Sequence, residues 1–317
     1  KPLHYISDLV GYEGQGSLLA YLKEQGLASG LSSSTAVDLK EQAAFKVKID
    51  LTDQGLQQQN QVIESFFSYI HKMKEDGVKA ALYDEQRRLK DTQFRFAETM
   101  NPMKEASHLA AMMQRYPTEN VFDAPYVMDS FNNEQIQTFL DQISPSNMLI
   151  TEQSPDVSTD QIDPWYNTGY RVDKLTDVEL SRWLQPRSIA ALDIRGNNPF
   201  IAENINLKEA TDLEAGDAPE VVFQRDGMRL WHLQDTEFNS PKTDTFFSVA
   251  SPVANDCVES AMMMTLYTQL INDRLNEVLY DAQLAGMHTR IYGHMRGFSV
   301  RISGYTDKQQ ELLKTIT

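Results

Sequence analysis

The chain has 317 residues, of which 41% are hydrophobic, and 45 acidic against 29 basic side chains give it a formal charge of -16 at pH 7. That apolar content suffices for the cores of two ordinary domains. The negative balance argues against nucleic acid and anionic membrane surfaces as partners, and leaves peptides, cations and other proteins.

No run of 18 apolar residues is present, and the opening KPLHYISDLV forms no signal peptide. The chain starts without methionine, inside what reads as a helix, so a fragment or a processed product is expected. In HYISDLV, residues Tyr5, Leu9 and Val10 fall on one helical side. The following GYEGQGS has the glycine spacing of a phosphate-binding loop at Gly11 and Gly16. The lysine such a loop needs is missing, Glu13 adds a repelling charge, and no apolar strand leads in, so nucleotide binding is disfavoured.

Ser17 can cap a helix carrying Leu18, Leu19 and Leu22, with Gly26 placed to end it. The Gly/Ser-rich LASGLSSSTAV is extended, and FKVKIDL alternates as a half-buried strand. A helix from about Thr52 to Gly77 buries Ile63, Phe66, Phe67, Ile70 and Met73, and a second helical region runs to Met113 with a break at Asn101-Pro102. FNNEQIQTFLDQI is a short helix capped by Asn132 or Asn133, NMLIT a buried strand, WYNTGYRVDKL an extended segment and DVELSRWLQP a short helix. Helices on one face of an antiparallel sheet fit this order better than a doubly wound sheet.

LKEATDLEAGDAPE, residues 207–220, carries five acidic residues and reads as an interdomain linker. Beyond it, VVFQRDGMRLWHLQ is a hairpin turning at Asp226-Gly227. TFFSVASP is a strand, Ala254 to Ala285 a long helix with Val258, Met262, Leu266 and Leu270 at spacings of four, and HTRIYGHMRGFSVRISGY a second hairpin near Arg296-Gly297. The final KQQELLKTIT starts a helix where more sheet would be needed, so the second domain looks incomplete.

No catalytic centre can be assembled from these residues alone. The six histidines form neither His-Glu-x-x-His nor His-x-x-Glu-His. His71 and Glu75 share a helix face without a third ligand, and His288 with His294 is at most a cross-strand pair. Cys257, the one cysteine, is expected to be a buried structural thiol, and Met262 to Met264 to be core.

HYISDLVGYEGQGSLLAYLKEQGLA resembles the second-domain hallmark of the pitrilysin/insulysin (insulinase-like) family of zinc metallopeptidases with an inverted zinc motif. The resemblance continues in order through FKVKIDLTDQGL, FRFAE, PWYNTGYRV, RLWHLQDTEF, INDRLNEVLYDAQLAG and FSVRISGYTDKQ. It implies an α+β fold of the metallohydrolase/LuxS-like type: an antiparallel-rich sheet with helices packed on one face, repeated in a second, incomplete domain. Residues 1–206 would be a non-catalytic second domain, 207–220 the linker, and 221–317 the first part of a third domain.

The resemblance also implies a zinc endopeptidase as the parent protein, with zinc bound in an absent first domain and assisting residues in an absent fourth, so that this portion alone is inactive and binds no metal. The implied role is part of the wall of an enclosed chamber, holding peptide substrates and packing against the missing flanking domains. Asp8, Gly11, Glu13 and Gly14, with Leu31, Ser32, Ser33 and Thr35, would bind the substrate N-terminus. A Gly/Ser-rich edge strand suits that role, because a peptide can add to it as a further strand, and Glu13 or Asp8 can pair with a terminal ammonium. The glycines are equally explained as a tight helix-to-helix turn, and both roles can hold together. A catalytically silent peptide-binding or assembly module of the same fold is the alternative, and a bacterial periplasmic location is implied by resemblance alone.

Overall fold

Short-range signals place most element boundaries. The computed structural model describes residues 2–39, 42–98, 100–128, 130–207, 218–235, 238 and 240–316, and these divide into two compact units, residues 1–91 with 119–197 and residues 92–118 with 198–317. Most of the acidic stretch at 207–220 lies outside the described residues.

The first unit opens with α1 (Pro2–Val10), α2 (Leu18–Glu24), β1 (Ala28–Asp38) and β2 (Ala43–Leu51). Ser17 caps α2 by accepting from Ala20 N at 3.0 Å. Helices α3 (Asp53–Gln57) and α4 (Gln59–Asp76) replace the single helix expected here, with a break at Gln58, where φ is -118° and ψ 35°. Thr52 caps α3 through Gly55 N at 3.0 Å and donates its hydroxyl to Gly26 O at 2.6 Å, tying the end of β2 to the α2–β1 turn.

Strands β1 and β2 pair antiparallel with Leu31 opposite Ile49 and Thr35 opposite Phe45. Their inner face meets the apolar faces of α1, α2 and α4, where Ile6, Leu9, Leu22, Tyr69 and Ile70 are buried. Burying one face and wetting the other is what the alternation of FKVKIDL dictates.

Helix α5 (Ala80–Arg95) follows; α6 (Pro102–Met113), with Asn101 as cap and proline in its first turn, belongs to the second unit, and the first resumes with α7 (Asn133–Gln142), capped by Asn132. The buried strand expected at 147–151 is not formed: Asn147 ends a 3-10 turn, residues 148–151 belong to no helix or strand, and Leu149 is 90% exposed. A four-residue apolar run carries no information on whether a partner edge lies within reach. A two-residue ladder, β3 (Gln161–Ile162) with β4 (Gly169–Tyr170), and α8 (Asp177–Leu184), started by a Thr176/Glu179 capping box, complete the elements of this unit.

In the second unit β5 (Glu220–Arg225) and β6 (Met228–His232) form the expected hairpin about Asp226-Gly227. A three-stranded antiparallel sheet has the order β7 (Lys242–Ala250), β9 (Gly297–Tyr305), β8 (His288–His294). The long α9 (Val258–Leu284) packs on β8, tied there by Asn272 Nδ2 donating to Ile291 O at 2.8 Å, and α10 (Gln309–Ile316) buries Leu312.

Three expectations in this unit are corrected. Met262 and Met263 are not core: they are 68% and 63% exposed, along with Val258, Leu266 and Leu270 on the same helix. Cys257 is exposed and caps α9, because its position before the first helical turn, rather than its apolar neighbours, decides its environment. His288 and His294 stand at opposite ends of the same strand, about 20 Å apart at strand rise, so they form no cross-strand pair.

The architecture is α+β, with every strand pair among the described residues antiparallel and helices packed against the sheets. No helix of the described residues is long and apolar enough to cross a membrane.

Candidate functional site

The glycine loop lies beside the start of the serine-rich strand. Ser33 Oγ, on β1, donates to Ser7 O on α1 at 2.6 Å and sits 3.0 Å from Ser7 Oγ, which fixes the end of α1 against β1. The helix closes with Gly11 N donating to Ser7 O at 2.8 Å. A Cβ at Gly11 would stand 2.7 Å from Ser33 Oγ, and one at Gly14 would collide with the Tyr12 hydroxyl, so a side chain at either position must displace Ser33 or Tyr12.

The turn role expected for these residues is therefore real: the loop joins α1 to α2. The phosphate-loop reading fails on structure as it does on sequence. A helix, not a strand, precedes the loop, and the Ser17 hydroxyl is committed to its cap.

The loop is also held from a segment that sequence reasoning did not single out. Asp193 N donates to Gly16 O at 2.9 Å. Arg195, nearly fully buried, places Nη2 at 2.8 Å from Asp8 Oδ2 and Nη1 at 2.6 Å from Glu85 Oε1, and its guanidinium lies 5.8 Å from the Tyr12 ring centroid. Burial alone would lower the Arg195 pKa, but the charge of Asp8 and the hydrogen bonds to Asp8 and Glu85 outweigh it, so the pKa is raised and the guanidinium stays charged. The one local hint was the alternation of buried Leu192 and Ile194 with charged neighbours.

Of the expected substrate-binding residues, Asp8, Gly11, Glu13 and Gly14 fall on α1 and its loop, and Leu31, Ser32, Ser33 and Thr35 on β1. Asp8 is engaged by Arg195, so its carboxylate is not free for a ligand ammonium. Glu13 is half-buried, and among the described residues its carboxylate has no hydrogen-bond or ion-pair partner. Leu31 is buried, Ser33 and Thr35 face inward, and Ser32 is exposed. Strand β1 pairs with β2 alone among the described strands, so its second edge has no strand partner among them.

A serine–histidine contact elsewhere does not make a nucleophile. His294 Nε2 lies 3.2 Å from Ser248 Oγ, but His294 Nδ1 accepts from Arg296 N at 3.2 Å. A neutral ring so held keeps its proton on Nε2 and donates it to the serine, which is the wrong tautomer for a general base.

Residues 94–317 match the family model described as the middle or third domain of peptidase M16, and residues 1–90 the model described as the M16 inactive domain. The chain belongs to the M16 peptidase family. Within it, the chain is similar to the Arabidopsis thaliana protein named insulin-degrading enzyme-like 1, peroxisomal, with 33% identity over 317 residues, covering 99% of this chain and 32% of that protein. It is 31% identical to human insulin-degrading enzyme over 318 residues, covering the whole of this chain and 31% of the enzyme.

The crystal structure of pitrilysin superposes with a TM-score of 0.84 at 25% identity, over all of this chain and 34% of that one. The chain thus spans about a third of the length of the M16 relatives it matches. The zinc that the family implies finds no matching donor set among the described residues. Among the described residues no three His, Cys, Asp or Glu side chains are grouped to hold a metal, and His71 Nε2 meets only Glu75 Oε1, at 3.3 Å.

Proposed function

We propose that this chain is a non-catalytic portion of an M16 zinc endopeptidase, one that forms part of the wall of the degradation chamber and anchors the N-terminal end of peptide substrates. The zinc, the reaction and the flanking domains belong in this reading to the rest of the parent polypeptide, and the chain alone hydrolyses nothing. Residues 1–206 act as the substrate-anchoring domain and 221–317 as the first part of the next. The compartment proposed is the bacterial periplasm, and cell fractionation tests it.

The observation that carries the reading is the strand-unpaired edge of β1, a Ser-rich strand whose inner Ser33 is bonded to Ser7 on α1, the helix that leads into the glycine loop. An extended peptide can satisfy the unpaired backbone groups of that edge, and the small side chains allow close approach. Glu13, on the same loop, supplies a carboxylate for the peptide's terminal ammonium.

Titration of the chain with a labelled extended peptide, free or acetylated at its N-terminus, is the direct test. Binding lost on acetylation supports the anchor, and no binding of either form refutes it. Ser33→Pro removes a backbone donor together with the hydroxyl that holds Ser7, so Ser33→Ala is its necessary control. Acetylation-insensitive binding of equal strength would favour a catalytically silent peptide-binding module instead.

A further inference from the structure

The outer face of the β1–β2 sheet carries two parallel rows of opposite character. On β1 the exposed positions are Ser32 and Ser34, and directly across the ladder on β2 stand Lys48 and Lys46, also exposed. The intervening residues, Leu31, Ser33 and Thr35 opposite Ile49, Val47 and Phe45, turn to the core. A net-negative chain therefore presents two ammonium groups beside this serine-rich edge, with nothing taller than a hydroxymethyl between them and that edge.

We infer that the open edge of β1 selects extended peptides bearing acidic side chains at two alternate positions, with Lys46 and Lys48 as the specificity-determining residues. The inference rests on the strand-addition reading given above. A peptide strand on that edge lies two strand spacings from β2, about 9–10 Å. A lysine side chain extends about 6 Å from its Cα and a glutamate about 4 Å, so the two span the gap by leaning across the serines. Side chains of a strand alternate between faces, so only residues of one parity in the peptide reach the lysines, and those of the other parity meet the core-facing side.

The strip has a defined end. Asp50 Oδ1 lies 2.6 Å from Lys48 Nζ, and Asp50 stands opposite Gly30. A peptide side chain alongside Gly30 therefore faces a carboxylate and gains nothing from being acidic, while one alongside Ser34 faces Lys46 directly. Lys48, shared with Asp50, contributes less than Lys46.

The test is fluorescence anisotropy of the 317-residue chain with labelled eight-residue peptides, free at the N-terminus, that carry a pair of Glu, Gln or Lys residues at positions 2 and 4 or at positions 3 and 5. In one of the two parities the Glu peptide should bind about threefold to tenfold more tightly than the Lys peptide, and the difference should shrink in 0.5 M salt. In the other parity charge should have little effect. Lys46→Glu with Lys48→Glu should reverse the order of affinities, and since both positions are exposed the thermal midpoint should hold, which a melting curve verifies. Equal binding of Glu and Lys peptides in both parities, with acetylation sensitivity retained, overturns the charge preference and leaves the anchor standing. Absence of binding by every peptide overturns the anchor itself, and the preference with it.

Discussion

Arg195 and Glu85, 110 residues apart in sequence, meet at 2.6 Å with their side chains 3% and 2% exposed. Asp8, at the end of α1, closes the cluster through the second guanidinium nitrogen. A cation this deeply buried survives only where carboxylates replace the water it has lost.

Arg195→Met is expected to destabilise the first unit by about 3–5 kcal/mol, because Glu85 and Asp8 lose the guanidinium that compensates their burial. Arg195→Lys should recover only part of this, since an ammonium cannot serve two carboxylates in a planar fork. Urea unfolding of the two variants measures both values, and a cost within 0.5 kcal/mol for Arg195→Met would refute the assignment.

Gly11→Ala places a methyl group against Ser33 Oγ and near Ser7 O. Forcing α1 away from β1 should cost about 1–3 kcal/mol. Part of that collision disappears when Ser33 is alanine, so the double-mutant cycle should be non-additive, the double variant being more stable than the sum of the single costs predicts. Additivity would mean that the two residues do not touch.

Asp307 accepts from the backbone N–H of Glu203 at 2.9 Å and of Asn204 at 3.2 Å, and these bonds hold its carboxyl below the usual range. A depressed carboxyl contributes stability that is present above its unfolded pKa, near 4, and lost as pH falls through the folded value. Asp307→Asn keeps an acceptor oxygen but removes the titration. The variant should therefore lose less stability than the native chain between about pH 5 and pH 2, as read by thermal melts across that window.

Met262→Lys and Leu266→Lys on α9 should each change stability by less than about 0.5 kcal/mol, since both side chains are exposed. Leu22→Ala, in the buried face of α2, should cost about 2–5 kcal/mol. Differential scanning calorimetry of the three separates the exposed stripe from the core, and a large loss at Met262 would place it in the core after all.

Where the sequence was legible, the signal was local. The cap at Ser17, the helix break at Asn101-Pro102, the α7 cap at one of the two candidate asparagines, the alternation of FKVKIDL and the Asp226-Gly227 turn each depend on a few neighbouring residues, and each stands where expected. The peptide-binding segments could be located but not evaluated, because whether Asp8 is available depends on Arg195, 187 residues away.

By itself the sequence determined most of the element types, the antiparallel α+β class and, through its glycine and serine blocks, the family, since all of these are written in short-range pattern and in residue order. Tertiary structure alone decided which apolar faces are covered and which charges are already paired. The stripe of α9 looks like core by periodicity yet is exposed, and Arg195 looks like a surface residue by type yet is buried. Burial depends on what a distant part of the chain places opposite a side chain, and no local spacing encodes that.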